Sequence, residues 1–171
     1  MSEYGRSKLA GEEAIRASHA RHLILRTSWV YAARGANFAK TMLRLAAERE
    51  QLRVVADQIG APTGAELLAD CTAQTLPQLL HQAQLSGTYH LCAAGETNWA
   101  EYARFVIGTA QAQDRTLRCR EVLGIPSSDY PTPARRPLNS RLDCRRFTTT
   151  FGLHLPPWQQ GVRRMLEEVV Q

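Results

Sequence analysis

Short apolar runs alternate with amphipathic helical patterns along this 171-residue chain. Residues 23–25, 52–56, 88–93 and 116–122 have the length and flanking residues of strands, and the first of them is typical of a buried parallel strand. Between these runs, apolar residues recur three and four apart, as on the buried face of a helix. Strands that alternate with helices predict an α/β fold.

Helix boundaries are marked by capping residues and prolines. Pro77 is expected to kink or end its helix, because a proline ring clashes with the preceding turn. Four prolines make residues 125–139 an extended loop that spans a surface or edges a pocket. The residues placed to cap helices are Ser2, Asn37, Asn98 with Glu101, and Asp143, together with Thr63 and Glu66 as a capping box for a helix that begins at residue 64.

The formal net charge of +5 comes almost entirely from arginine, since Lys8 and Lys40 are the only lysines. Arginine binds phosphate and carboxylate well, which suits an anionic ligand. Because the arginines are scattered, solvated helix faces are favoured over a nucleic-acid surface. The four cysteines and five histidines show no metal-ligand spacing, and the cysteines are expected to be small buried thiols in a reducing cytoplasm. No apolar run approaches the about 20 residues that span a membrane.

A tyrosine and a lysine four residues apart stand near the start of the chain. Tyr4 and Lys8 would share one face of a helix, one turn from each other. A phenol beside an ammonium ionises more readily, so such a pair can give a proton to a carbonyl oxygen while a hydride arrives from elsewhere. The alternative is a chance pair on a helix surface with no chemical role.

Five stretches occur in an order that resembles the dTDP-4-dehydrorhamnose reductases, a family of extended short-chain dehydrogenases/reductases. Tyr-x-x-x-Lys is shared by that whole superfamily, whereas the SWVY and DQIGAPT segments are narrower and carry the resemblance. The stretches are YGRSKLAGE, LRTSWVY, NFAKTMLRLA, DQIGAPTGAELLAD and YPTPARRPLNSRLD. The resemblance runs from Tyr4 to the final helix and matches the C-terminal half of the family.

The resemblance implies an activity, a cofactor and partners. The family reduces the 4-keto group of dTDP-4-dehydro-L-rhamnose to dTDP-L-rhamnose with NADPH or NADH, for cell-surface polysaccharides. We therefore expect a cytoplasmic protein that binds a dTDP-sugar and binds neither nucleic acid nor membrane. A homodimer is compatible with the resemblance. The family also allows Mg²⁺ at a dimer interface, which nothing in this sequence predicts.

The resemblance assigns roles to individual residues. Tyr4 matches the proton donor, and Lys8 matches the residue that holds the nicotinamide ribose and favours ionisation of the phenol. Trp29 matches a tryptophan that contacts the substrate. Thr27 and Ser28 follow the first strand, where ligands bind in open sheets, and are assigned with Tyr4 and Lys8 to the cofactor. Segments at the edge of the substrate pocket contain Asn37, Gln58, Thr63 and Arg136.

This sequence lacks one expected element of the family. None of its glycines forms Gly-x-x-Gly-x-x-Gly or Gly-x-Gly-x-x-Gly after a strand. The expectation is therefore a C-terminal portion, inactive alone, whose dinucleotide-binding half lies upstream. Residues 1–34 would supply the last helix and strand of a Rossmann-like domain. Residues 35–171 would form mainly a small α/β substrate-binding lobe, with some elements returning to the Rossmann-like sheet.

Other interpretations stay open on the sequence alone. Within the superfamily, the chain could belong to another nucleotide-sugar epimerase or reductase. Outside catalysis, it could be a sugar-nucleotide-binding or regulatory subunit. Single residues also have plainer alternatives: Asn37 and Thr63 as helix caps only, Gln58 as a partner of loop backbone, Arg136 as a surface charge and Trp29 as core.

Overall fold

The computed structural model describes residues 2–113, 115–130, 132 and 136–170. The helices in this part of the chain are α1 (Glu3–Ala17), α2 (Phe38–Glu48), α3 (Ala65–His81), α4 (Trp99–Gln111), α5 (Arg145–Phe151) and α6 (Trp158–Val170). The strands are β1 (Leu23–Arg26), β2 (Val30–Tyr31), β3 (Gln51–Val55), β4 (Ile59–Gly60), β5 (Thr63–Gly64), β6 (Gly87–His90), β7 (Thr97–Asn98) and β8 (Glu121–Ile125).

The described strands associate in pairs, and most pairs are parallel. β1 pairs with β6, β2 with β5 and β3 with β8, all parallel, whereas β4 and β7 are antiparallel. Parallel strands need a crossover between them, and α2, α3 and α4 lie in these connections. The predicted α/β class with parallel pairing is confirmed.

The larger core lies where α2 and α4 cover the β3–β8 pair and α6 packs against α4 and β5. Tyr102 and Val106 of α4 are buried there with Val162 and Leu166 of α6. The face of α6 that carries these two residues therefore points into the core. Burying a large apolar side chain of this kind contributes about 1.5–3 kcal/mol, so this core holds α4, α6 and the strands beneath them together.

A second core joins β6 to α3 and α5. Phe147 and Phe151 of α5 pack on Tyr89 of β6, with ring centroids 6.2 and 5.1 Å from the tyrosine ring. Cys71 of α3 completes this cluster. α5 ends at Gly152, where φ is +65°. Glycine adopts this left-handed conformation without strain, so it can end the helix here.

Three of the predicted caps form. The side chains of Ser2, Asn37 and Asn98 accept the backbone N–H of the residue three positions further on, at the starts of α1, α2 and α4. Asp143 is not the N-cap of α5 as predicted: Cys144 holds that position without a side-chain cap bond, and Asp143 accepts the N–H of Arg145 from one residue further back. The three caps that form are at Ser2, Asn37 and Asn98. Local pairing between a capping side chain and its own helix is sufficient to fix these boundaries.

The capping box of Thr63 and Glu66 is wrong. α3 begins one residue later, with Gly64 as its N-cap and no side-chain cap bond. Thr63 lies in β5, where its hydroxyl donates to the carbonyl of Ala61 and accepts the N–H of Ala93. Pairing of β5 with β2 and the hydrogen bond to Ala93 therefore prevail over the local preference of threonine for a helix cap.

Three expected elements differ in extent. α3 continues to His81 past Pro77, which stands on an exposed side of the helix, where water can bind the carbonyl that proline leaves without a donor. The strand expected at 116–122 begins at Glu121, because Cys119 and Arg120 donate their N–H groups to carbonyls at the end of α2 and just beyond it. β1 is parallel as expected but only half-buried.

Candidate functional site

The predicted tyrosine–lysine pair lies on one face of α1. The Lys8 ammonium is 5.4 Å from the centroid of the Tyr4 ring. Tyr4 is 72% exposed, and no residue of α1 is buried. The pair therefore faces solvent in this structure, open to a ligand.

Two contacts define the direction of α1 relative to the sheet. Glu12 accepts two hydrogen bonds from Arg26 at the end of β1, with distances of 2.8 and 2.7 Å. One turn later, Arg16 donates to Thr88, which stands opposite Ile24 in the β1–β6 pair. The later residue of α1 thus lies beside the earlier residue of β1, so the helix and the strand run antiparallel. The N-terminal turns of α1 therefore extend beyond the carboxyl end of β1, where ligands bind in open α/β sheets.

The segment after β1 starts at the same end of the sheet. Thr27 is exposed, and the Ser28 hydroxyl lies 3.4 Å from the carbonyl of Ala61. Trp29 has a φ of +48°. Few residues other than glycine adopt this left-handed conformation, and a bulky side chain in it marks strain that the surroundings must offset.

Trp29 is held in place by a second tryptophan and a glycine. The indoles of Trp29 and Trp99 are stacked, with centroids 3.8 Å apart and planes at 16°. A Cβ on Gly60 would lie 2.7 Å from the Trp29 ring, so only glycine allows the ring to sit there. Stacked aromatic pairs contribute about 0.5–1.5 kcal/mol beyond their buried area, which helps offset the backbone strain at Trp29.

A chain of hydrogen bonds fixes the second tryptophan in turn. Trp99 Nε1 donates to Gln58 Oε1 at 3.1 Å, and Gln58 Nε2 donates to the Ser127 hydroxyl at 2.9 Å. That hydroxyl donates to Asp57 at 2.6 Å. The hydroxyl and backbone N–H of Ser127 hold the pKa of Asp57 below its usual value. Both the oxygen and the nitrogen of the Gln58 amide are therefore hydrogen-bonded to other residues of the chain.

Asn37 is hydrogen-bonded within the chain, whereas Arg136 is exposed to solvent. Asn37 accepts the N–H of Lys40 as helix cap and donates to the carbonyl of Ala32. Arg136 is exposed. Nearby, Ile59 and the 138–140 segment exchange backbone hydrogen bonds, which places this part of the proline-rich loop beside β4. Residues 131 and 133–135 of that loop lie outside the described residues.

Thr63 is fully buried, with no exposed surface. Its backbone also contacts the first tryptophan, because the Thr63 N–H donates to the carbonyl of Trp29. The side chain therefore connects the segments that surround the tryptophans, and in this structure it does not reach a surface where a sugar could touch it.

We expect Thr63→Val to lower the free energy of unfolding by about 1–3 kcal/mol, because the buried N–H of Ala93 loses its acceptor. Valine keeps the shape of threonine, and urea or thermal unfolding of the chain measures the loss. Thr149→Val, at an exposed position of α5, is the matched control and should change little. Weaker ligand binding with unchanged stability would show that Thr63 contacts a ligand instead.

The described residues contain no cluster of three or more His, Cys, Asp or Glu side chains that could hold a metal ion. No helix in the described part of the chain is both long and apolar enough to cross a membrane.

Sequence reasoning missed three members of this arrangement. From the sequence, Trp99, Ser127 and Asp57 carry no predicted role at a site. The only sequence feature that could have found Trp99 is its place directly after a helix cap, at the edge of the helix. The structure thus shows an exposed phenol–ammonium pair on α1 and, separately, a stacked indole pair in which Trp29 follows β1.

The sequence profile of the RmlD substrate binding domain matches residues 1–171. The dTDP-4-dehydrorhamnose reductase of Escherichia coli (strain K12) is 54% identical over 169 residues, which cover 99% of this chain and 56% of that protein. The enzyme of the same name from Sinorhizobium fredii is 45% identical over 168 residues, or 97% of this chain and 56% of that protein. The chain thus spans a little more than half the length of these relatives.

Solved structures agree with these matches. A dTDP-4-dehydrorhamnose reductase from Bacillus anthracis, in complex with NADP, superposes with a TM-score of 0.81 at 35% identity, over 96% of this chain and 55% of that one. The Clostridium acetobutylicum protein gives a TM-score of 0.88 at 28% identity, over 99% and 56%. Sequence and fold together show that this chain belongs to the RmlD substrate binding domain family.

Proposed function

We propose that this chain is the part of a dTDP-4-dehydrorhamnose reductase that carries the tyrosine–lysine pair and the sugar-binding residues. The reaction is reduction of the 4-keto group of dTDP-4-dehydro-L-rhamnose to dTDP-L-rhamnose. The observation that carries the proposal is the similarity to reductases of this name along 99% of the chain. A tyrosine and lysine on one helical face, beyond the carboxyl end of β1, support it.

Tyr4 is the proposed proton donor. Its exposed hydroxyl can reach a carbonyl oxygen of a ligand bound at this edge of the sheet. The nearby Lys8 ammonium favours the phenolate that remains after the proton is given. General acid catalysis by a positioned side chain contributes about 10²–10⁴-fold in rate. We assign a rate enhancement of this size to Tyr4.

NADPH or NADH is the proposed cofactor, and its nicotinamide supplies the hydride when bound. Within the described residues Lys8 forms no ion pair, because Glu12, one turn away, is taken by Arg16 and Arg26. An unpaired ammonium at the open end of the site suits ribose hydroxyls. Thr27 and Ser28, beyond β1, are the other proposed cofactor contacts.

The sugar is proposed to lie against Trp29. Apolar sugar faces pack on indole rings, and Trp29 is fixed by Trp99 and Gly60 before any ligand arrives. Because Gln58 is engaged with Trp99, we assign it to holding the aromatic pair. Asn37 and Arg136 stay candidates for contacts with the nucleotide diphosphate, and of the two only Arg136 carries a charge suited to it.

The wider setting is part of the proposal. Residues 1–34 belong with a Rossmann-like domain and residues 35–171 form mainly the substrate-binding lobe, with some elements returning to the Rossmann-like sheet. We propose a cytoplasmic location, since the proposed substrate is a nucleotide-activated sugar. A homodimer is compatible with this assignment.

We expect the isolated 171-residue chain to bind NADPH with a dissociation constant well above micromolar. The chain carries the ribose-side residues but no glycine-rich turn for the pyrophosphate, and that turn with its helix N-terminus is the usual phosphate site. Titration calorimetry measures the affinity. A micromolar dissociation constant would show that this chain holds a phosphate site of its own.

The activity itself is tested after joining this chain to the dinucleotide-binding half of the Escherichia coli relative. The proposal expects NADPH oxidation that depends on dTDP-4-dehydro-L-rhamnose, and none with the isolated chain. A UDP-linked 4-keto sugar is the matched control for the nucleotide. A folded, NADPH-binding fusion that reduces neither sugar would contradict the proposal and favour the non-catalytic alternative.

A further inference from the structure

Two cysteines that are 52 positions apart in sequence meet in the fold. The Sγ atoms of Cys92 and Cys144 are 3.5 Å apart. Cys92 follows β6, and Cys144 immediately precedes α5. All four cysteines are free thiols in this structure, and a disulfide needs a sulfur–sulfur distance of about 2.05 Å. Because the two thiols already touch, only a small shift of the side chains separates them from a bond.

The pair is reachable from solvent on one side. Cys144 is half-buried, whereas Cys92 is 5% exposed. Both side chains line a cavity of about 410 Å³. A small oxidant can therefore approach Cys144 first, with Cys92 behind it as the second thiol.

The hydrogen bond between the two thiols favours ionisation of one of them. The hydrogen bond from the Cys92 thiol lowers the pKa of Cys144 to about 7, while Asp143 opposes this shift. The pKa of Cys92 is raised, because it donates that hydrogen bond and is buried. Other charged or titratable groups that line the cavity are Glu96, Arg141, Arg145 and His154. Thiolate is the reactive form of cysteine, so Cys144 is the nucleophile of the pair.

We propose that Cys92 and Cys144 form a reversible disulfide, a modification site that responds to peroxide. The Cys144 thiolate attacks one peroxide oxygen, which breaks the O–O bond, yields a sulfenic acid and releases hydroxide. The Cys92 thiol then attacks the sulfenic sulfur, forming the S–S bond and releasing water. In total, two thiols and one hydrogen peroxide give one disulfide and two waters. A dithiol reductant reverses the step by exchange.

The bond would close a large part of the substrate-side fold into a ring. The segment between Cys92 and Cys144 contains β7, α4, β8 and the proline-rich loop. Closing so long a loop restricts the unfolded chain. It also fixes the end of the 139–144 segment, whose Ser140 binds the backbone of Ile59, so oxidation would hold this side of the candidate site in place.

The test treats the reduced 171-residue chain with hydrogen peroxide, blocks remaining thiols with an alkylating reagent and maps the peptides by mass spectrometry. The expected product is a monomer that has lost two hydrogen atoms, with the Cys92 and Cys144 peptides joined and Cys71 and Cys119 alkylated. Its Tm should rise by roughly 4–16 °C and return to the starting value after dithiothreitol.

Single variants separate the pair from the other thiols. Cys92→Ser and Cys144→Ser should abolish the rise in Tm, whereas Cys119→Ala, at a buried cysteine outside the pair, should keep it. If a variant fails to fold, the peptide map of the unsubstituted chain still decides. Sulfinic acid at Cys144 without a bond, a bond between two chains, or equal oxidation of all four thiols would overturn the proposal.

Discussion

Tyr4→Phe is expected to lower kcat by about 10²–10⁴-fold in a reductase that joins this chain to a dinucleotide-binding half. The phenol acts when the proton passes to the sugar oxygen, so its loss removes an interaction made in the transition state. KM for the sugar should change little, because phenylalanine keeps the ring. NADPH oxidation at saturating sugar measures kcat, and the dependence on sugar concentration gives KM.

The matched control is Tyr130→Phe, which removes the hydroxyl of another exposed tyrosine. Its kcat should equal that of the unsubstituted enzyme. An unchanged kcat in Tyr4→Phe would show that another group supplies the proton. A rise in KM alone would make Tyr4 a binding residue.

Trp29→Ala is expected to raise KM for the dTDP-4-keto sugar by about 10–200-fold while NADPH affinity stays nearly constant. The substitution removes the proposed sugar-facing indole and also breaks the stack with Trp99. Steady-state kinetics give the KM values. Circular dichroism reports the stack independently, because two indoles with centroids 3.8 Å apart couple their electronic transitions.

Two further variants separate binding from folding. Trp29→Phe keeps an aromatic face and should recover part of the affinity. Gly60→Ala places a methyl group where the indole lies, so it should displace Trp29 and raise KM without touching the sugar. If Trp29→Ala lowers Tm and both affinities together, Trp29 is a core residue and the proposed sugar contact is wrong.

Features set by neighbouring residues could be predicted from the sequence. The caps at Ser2, Asn37 and Asn98 each satisfy an N–H three positions away, and Tyr4 and Lys8 meet because a helix brings every fourth residue together. The same holds for Gly152, whose left-handed conformation ends α5. These interactions are complete within a few residues, so no knowledge of the rest of the chain is required.

Features set by distant partners could not be predicted. Thr63 looked like a cap, but its hydroxyl bonds to Ala93, 30 positions away. Trp29 and Trp99 are stacked only because β4 and β7 pair beside them. The contact between Cys92 and Cys144 likewise depends on how α5 packs against β6. In each case a local preference competes with long-range packing, and the sequence does not display which one prevails.

The placement of α1 has a consequence for affinity. None of its residues is buried, and Glu12 and Arg16 bind it to the sheet through polar contacts. An ion pair close to solvent typically contributes about 0–1 kcal/mol, so α1 can detach in a local opening that costs far less than global unfolding. A ligand that needs Tyr4 in position must suppress this opening, and the free energy of ordering is subtracted from its binding. The dissociation constant of such a ligand therefore rises as the fraction of time that α1 is docked falls.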